Sequence, residues 1–257
     1  MSAPVKVALV TASSAGLGAA CVKALAPHFR VVVNYYSRPE KAAEVIREAT
    51  TIRSFYDLPA GTPRFLALQA DVSDRAGIQQ LVSEAVDRMG RLDVVVSNAG
   101  WTRVTDFMDL EDQLREEDWD RCYNANVKSH LWLLHAAKPF LEQADGGGSL
   151  VVVASLAGVR PSGSSVAYAV SKAAAIHLTK CLALVCGPKV RCNAVSPGLL
   201  MTEWGRRFSD AQIQQATDKT ALRRLATIED VADQVKTLAL SQSMTGQNVV
   251  VDGGVAI

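Results

Sequence analysis

Long apolar runs, paired cysteines, histidine clusters and an excess of charge of either sign are all missing from this chain. No uninterrupted apolar stretch approaches the roughly 18 residues that a membrane span requires. The cysteines, Cys21, Cys122, Cys181, Cys186 and Cys192, are odd in number and form no Cys-x-x-Cys. That argues against a disulfide framework or a cysteine zinc site and reads as reduced packing residues. His28, His130, His135 and His177 show no metal-ligand spacing, so no metal is expected. Lys and Arg total 27 against 26 Asp and Glu, and the basic residues are scattered rather than run together. Nucleic acid and anionic membrane are therefore not expected as partners. The opening Met-Ser-Ala-Pro-Val-Lys lacks a basic region followed by an apolar one, and the expected location is cytoplasmic.

What is present is a chain of 257 residues, 49% of them hydrophobic, long enough to bury a sizeable core. Short runs rich in Val, Leu and Ile alternate with longer amphipathic segments. Strand-like Val5–Thr11, Arg30–Tyr35, Phe65–Gln69 and Asp93–Ser97 alternate with helical Gly16–Pro27, Pro39–Thr50 and Asp74–Met89, and a long helical region then runs to about Gln143. Ser149–Ala154, helix Tyr168–Cys186, Val190–Val195, helix Ile228–Ser241 and Asn248–Val251 complete the alternation. Continuous apolar strands separated by helices predict a parallel sheet covered on both faces. The expected fold class is α/β: one Rossmann-type, doubly wound domain over 1–257, with about seven strands. Residues 51–64, with Pro59 and Pro63, read as a surface excursion. The segment 199–226 carries charged, short-helix sequence and reads as a substrate lid or, equally, as an ordinary surface helical pair.

Tyr168 and Lys172 stand four residues apart in a helical run, so phenol and ammonium share one face. A cation about 4 Å from the phenol at an effective dielectric near 20 is worth roughly 4 kcal/mol, enough to lower its pKa by a couple of units. Ser155, just beyond the apolar run that ends at Ala154, could hydrogen-bond a carbonyl or alkoxide oxygen while the tyrosine exchanges a proton. The chemistry suggested is carbonyl reduction or alcohol oxidation. Upstream, the first strand runs into Thr11-Ala-Ser-Ser-Ala-Gly16-Leu-Gly18 and then a helix. Glycines there let the backbone approach a pyrophosphate at the helix N-terminus.

Together these residues resemble the short-chain dehydrogenase/reductase family over nearly the whole chain. Its layout is nearest to the ketoreductases of the beta-ketoacyl and polyketide type. The glycine signature is matched by Thr11, Gly16 and Gly18 and departs at Ala12, where an extra methyl is tolerable if φ stays negative and otherwise crowds the turn and weakens cofactor binding. Asp71-Val72, Asn98-Ala99-Gly100, Asn126, Ser155, Tyr168, Lys172, Pro197-Gly198 and Thr202 follow in family order. The resemblance implies Tyr168 as proton donor and Ser155 as the group that polarises the carbonyl. It implies that Lys172 holds the nicotinamide ribose and lowers the tyrosine pKa, and that Asn126 anchors a water, chiefly through its main-chain carbonyl. Asp71 and Val72 would receive adenine, and Asn98, Ala99 and Gly100 would line the adenosine and ribose side. Pro197 and Gly198 would pack by the nicotinamide and Thr202 would bind its carboxamide or a phosphate. Thr11, Ser13, Ser14, Gly16, Leu17 and Gly18 would form the turn around the pyrophosphate. Simpler readings exist: Asp71 or Thr202 as helix caps, Asn98 and Pro197-Gly198 as turn residues.

The second strand ends without an acid to bind a ribose 2′-hydroxyl. Asn34, Ser37 and Arg38 could instead bind a 2′-phosphate, which sets NADP(H) ahead of NAD(H). A basic residue that often precedes the glycine at position 16 is here Ala15. The leading expectation is reduction of a ketone or aldehyde by NADPH. An NAD-dependent alcohol or sugar dehydrogenase and a non-catalytic dinucleotide-binding regulator are the alternatives. Trp101, Leu199, Leu200, Met201, Trp204 and Phe208 are candidates for an apolar substrate wall. The resemblance further implies a homotetramer or homodimer built on the helices carrying Asn126 and Tyr168, with Ala173 to Ala175 allowing close helix approach.

Overall fold

In the computed structural model, which describes residues 5–257, strands β1 (Val7–Val10), β2 (Arg30–Tyr35), β3 (Phe65–Gln69), β4 (Val94–Ser97), β5 (Gly148–Val153), β6 (Val190–Pro197) and β7 (Asn248–Val251) form one sheet. The order is β3-β2-β1-β4-β5-β6-β7 and every pairing is parallel. Residues 1–4 of the expected unit lie outside this description. The period of two along each strand divides the core. Val7, Leu9, Val95, Leu150 and Val152 face one layer, and Ala8, Val10, Val94, Val96 and Val151 face the other. Helices α3 (Arg75–Met89), α5 (Ser129–Leu141) and α6 (Val166–Cys186) close the first layer. Helices α1 (Gly16–Leu25), α2 (Pro39–Thr50) and α8 (Ile228–Leu240) close the second. Both faces are buried, which explains strands that are apolar throughout rather than alternating.

Strand order reverses between β1 and β4, and in such sheets a crevice opens there, at the carboxyl ends of the strands. The excursion at 51–64 is fixed away from that edge. The Tyr56 hydroxyl donates to the Phe29 carbonyl at 2.6 Å, and the Phe55 N–H to Pro27 at 2.8 Å. Both acceptors precede β2, at its amino end.

The long helical region expected after β4 is interrupted. Residues 98–110 are irregular, a 3₁₀ turn covers Glu111–Gln113, and α4 (Glu116–Tyr123) joins α5 through a π turn at Asn124–Lys128. Side chains replace the helical ladder in the irregular stretch. Arg103 pairs with Asp112 and Asp118, and the Gln113 amide donates to the carbonyls of Asp106 and Asp109. The remaining helix, α7 (Asp210–Asp218), lies within 199–226. It is opened by a Ser209–Gln212 capping box and has no buried residue. Helix α6 is long and apolar enough to cross a membrane by length and composition. It packs on β5 and β6, and its buried residues include Ser171, Lys172 and Thr179.

Candidate active site

The turn after β1 is held by polar side chains that bond to backbone. Thr11, fully buried, accepts at Oγ1 from the N–H groups of Asn98 at 2.9 Å and Ala99 at 3.2 Å. The Asn98 amide donates back to the carbonyls of Thr11 and Ala12, at 3.0 and 3.2 Å. Ser13 donates its N–H to Asn34 at 2.8 Å and its hydroxyl to Val10 at 2.8 Å. A Cβ on Gly18 would stand 2.5 Å from the Ala12 carbonyl oxygen and 2.7 Å from the Asn98 amide nitrogen, so only glycine allows this approach. Ala15, at the N-cap of α1, offers no side-chain cap, which leaves first-turn amides open to an anion. Ser14 and Gly16 are half-buried beside it, while Leu17 is buried in the core.

The structure decides the Ala12 alternative and corrects the reading of Asn34. Ala12 lies at φ +49°, in the left-handed region rather than at negative φ, so the missing glycine is accommodated with backbone strain of about 1 kcal/mol. Asn34 is not free to bind phosphate. It is 1% exposed, its Oδ1 accepts from the Ala12 N–H at 2.9 Å, and its Nδ2 donates to the carbonyls of Leu68 and Ala70 at 3.3 and 3.2 Å. Ser13 is likewise consumed within the turn. Of the second-strand group, Ser37 remains exposed, and Arg38 pairs with Glu203 at 2.9 Å.

Asp71 and Val72 follow β3. The Asp71 carboxylate is exposed and accepts from Ser73 N–H and hydroxyl at 2.8 and 2.7 Å, while Asp74, not Asp71, caps α3. Pro197 ends β6 in the interior, and a Cβ on Gly198 would meet the Asp252 Cα at 3.0 Å. The Thr202 methyl lies 3.3 Å from where a Gly16 Cβ would stand, so the loop after β6 leans onto the glycine turn. Among the expected wall residues, Leu200 is in the core. Trp101, Leu199 and Phe208 are half-buried, and Met201 and Trp204 are exposed.

β5 and α6 build the third part. Ser155 lies two residues beyond the end of β5 and accepts from the Ala157 N–H at 3.2 Å. Ser165 caps α6 by accepting from the Tyr168 N–H at 3.2 Å. A Cβ on Gly158 would lie 2.5 Å from the Lys172 carbonyl carbon, which seats α6 tightly against the end of β5. Lys172 is 3% exposed; its ammonium donates to the Val153 carbonyl at 2.8 Å and stands 5.7 Å from the centre of the Tyr168 ring. Burial holds the Lys172 pKa down, to about 8.

Tyr168 departs from expectation in the other direction. Burial raises its pKa above the usual phenol value, and the bond with the Ser155 hydroxyl only partly offsets that. The ammonium is desolvated and engaged by a carbonyl on the flank of the ring, so burial outweighs its attraction for a phenolate. The phenol is therefore protonated at neutral pH.

Asn126, fully buried in the π turn, bonds both ways with Trp101. Its Oδ1 accepts from the N–H at 2.8 Å, and its Nδ2 donates to the carbonyl at 2.9 Å and to the Ser171 hydroxyl at 3.0 Å. A Cβ on Gly100 would lie 2.9 Å from Asn126 Oδ1 and 3.4 Å from Lys172 Nζ. The glycine thus keeps Lys172 reachable. Two participants were not read from the sequence. Ser171 links Asn126 to the Tyr168 carbonyl, at 2.8 Å, and could have been found as the residue three after Tyr168. The other is a buried Ser97–His130 pair at 2.6 Å behind Asn126 and Lys172, for which separation in sequence left no signal. Burial and the nearby ammonium push the His130 pKa down to about 3.

The enoyl-(acyl carrier protein) reductase family model matches residues 11–256. A granaticin polyketide synthase ketoacyl reductase 2 of Streptomyces violaceoruber is 40% identical, covering 96% of this chain and 95% of its own. A short-chain dehydrogenase from Burkholderia cenocepacia J2315, solved in complex with NADP, superposes with a TM-score of 0.85 at 29% identity, over 99% of this chain and 100% of its own. A 3-ketoacyl-(acyl-carrier-protein) reductase from Brucella melitensis, complexed with NADH, gives 0.84 at 26% identity over 98% of each chain. The uncapped first turn of α1 and the close backbone approach at Gly18 suit an anionic group such as a pyrophosphate. With sequence, fold and relatives in agreement, the chain belongs to the short-chain dehydrogenase/reductase family of nicotinamide-dependent oxidoreductases.

Proposed function

We propose that this chain reduces a ketone or aldehyde to an alcohol with NADPH, with Tyr168 giving the proton. The observation that carries the reading is the meeting of Ser155, Tyr168 and Lys172 at the carboxyl end of β5. The nicotinamide, when bound, supplies a hydride for the carbonyl carbon. Ser155 donates to the carbonyl oxygen and orients it, and the protonated phenol of Tyr168 then transfers its proton to that oxygen. Lys172, with a pKa of about 8, stabilises the resulting phenolate and returns a proton to it. The Asn126 side chain is fully engaged, so its part is to hold the π turn and leave its main-chain carbonyl to a water.

Nucleotide binding falls to the α1 amides with Gly16, Leu17 and Gly18, to Asp71 and Val72 for adenine, and to Asn98, Ala99 and Gly100 alongside. Pro197, Gly198 and Thr202 serve the nicotinamide end. Ser37 and Arg38 serve a 2′-phosphate, for which a charge-assisted bond of roughly 1.5–3 kcal/mol gives a preference of about 10- to 150-fold. Residues 199–226, with the wholly unburied α7, act as the substrate lid of a single catalytic domain. Exposed Leu131, Val170, Leu184 and Val185 on α5 and α6 fit a homotetramer or homodimer formed through these helices, in the cytoplasm.

Neutralisation of Arg38 by Glu203 favours a second reading, an NAD-dependent alcohol or sugar dehydrogenase. Titrating the purified protein with NADPH and NADH side by side separates the two. Tighter binding of NADPH, followed by its oxidation with a ketone panel, supports reduction, and tighter binding of NADH moves the assignment to alcohol oxidation. A protein that binds either nucleotide and turns over no carbonyl or alcohol is instead a binding regulator.

A further inference from the structure

Arg38 follows β2 and Glu203 follows β6, and in the sheet β1, β4 and β5 stand between those strands. At about 4.8 Å per strand their ends are roughly 19 Å apart. Yet the Arg38 guanidinium donates to both carboxylate oxygens of Glu203, at 3.2 and 2.9 Å. The two segments therefore reach toward each other across the carboxyl edge of the sheet, past the point where strand order reverses. The neighbours of Glu203 fix its course. Thr202 rests on Gly16 of the nucleotide turn and accepts at Oγ1 from the Gly205 N–H at 3.3 Å. Arg207 lies 4.0 Å from the centre of the Trp204 ring, and the ion pair formed by Glu203 is with Arg38, from the far side of the crevice.

We propose that Glu203 is a specificity-determining residue, which competes with the 2′-phosphate of NADP(H) for Arg38, so that the Arg38–Glu203 pair is a strap over the nucleotide crevice that the phosphate releases and NAD(H) leaves closed. The inference rests on the reading of Arg38 as a phosphate ligand. With Asn34 withdrawn into the β1–β3 network, Arg38 is the cation at the end of β2 that this reading requires. Both partners are about half exposed, with side-chain exposures of 43% and 60%. Such a pair is worth at most about fivefold in an equilibrium constant. A charge-assisted phosphate contact contributes roughly 10- to 150-fold, so the nucleotide displaces the carboxylate, and Glu203 trims the preference for NADP(H) without reversing it. The freed carboxylate also changes the charge of the loop that leads into the proposed lid.

The test is a set of dissociation constants for NADPH and NADH, read by nucleotide and tryptophan fluorescence on the wild type, E203Q, R38Q and the double variant. Both side chains are exposed, and neither substitution opens a cavity. E203Q is expected to tighten NADPH by about two- to fivefold and to leave NADH unchanged. R38Q is expected to weaken NADPH by about tenfold or more, and E203Q is expected to have no further effect in the R38Q background. If E203Q fails to tighten NADPH, moves both nucleotides alike, or acts equally with and without Arg38, the competition is overturned while Arg38 keeps its role. If R38Q leaves the NADPH to NADH ratio unchanged, the phosphate reading itself falls, and the strap with it.

Discussion

The two sides of the crevice use their polar residues in opposite ways. Around β1, β2 and β4, the side chains of Thr11, Ser13, Asn34 and Asn98 are bonded to neighbouring backbone. Beyond β5, Ser155, Tyr168 and Lys172 keep their functional atoms in one another's company. The first arrangement builds an edge in which these side chains are spent on holding the backbone in place. The second places a phenol and an ammonium where burial has shifted both toward their neutral forms. A sequence motif therefore marks position in both places but chemistry in only one.

Removing Lys172 should break the catalytic side most severely. K172M is expected to lower turnover by about 10²- to 10⁴-fold and to weaken nucleotide binding, as read by steady-state rates and fluorescence titration. An unchanged rate would take the ammonium out of the chemistry. N34L attacks the structural side. It strips partners from the Ala12 N–H and the Leu68 and Ala70 carbonyls and should cost roughly 2–5 kcal/mol in denaturant unfolding. Where the variant still folds, the rate with bound nucleotide should stay close to wild type.

Acid and alkali should sharpen the contrast on the catalytic side. His130 has its folded pKa depressed to about 3, so the unfolded chain binds its proton first as pH falls. Stability is lost between about pH 6.5 and 3. Lys172 has its folded pKa depressed to about 8. The unfolded chain holds that proton longer, so this group makes stability rise as pH climbs from about 8 toward 10.5. Unfolding midpoints across pH should show both limbs, with H130L flattening the acid one and K172M the alkaline one. The smallest effect belongs to Ala12. A12G relieves a left-handed alanine and should stabilise the fold by about 1 kcal/mol, read as a higher unfolding midpoint.

The strands and most helices were legible because apolar runs and 3.6-residue periods act locally. Pro39–Thr50 and Phe65–Gln69 fall on their expected bounds. The stretch after β4 misled because Arg103, Asp112, Gln113 and Asp118 have the charge pattern of a helix surface. They serve instead to satisfy an irregular backbone. Asn34 misled for a related reason: its type and place suit a phosphate, but its amide is needed to join three strand ends. Ser155, Tyr168 and Lys172 were legible as a spacing. Their protonation was not, because the sign of the tyrosine shift depends on how deeply the pair is buried and on the carbonyl that holds the lysine.

The measurement that bears most directly on this account is Y168F, assayed for both NADPH binding and carbonyl reduction. Removing one hydroxyl from the catalytic side should reduce turnover by about 10²-fold or more while the NADPH dissociation constant stays within about twofold, because the opposite side of the crevice is untouched. Turnover near that of the wild type would contradict the assignment of Tyr168 as proton donor. Loss of NADPH binding together with turnover would contradict the division of the crevice into a structural side and a chemical one.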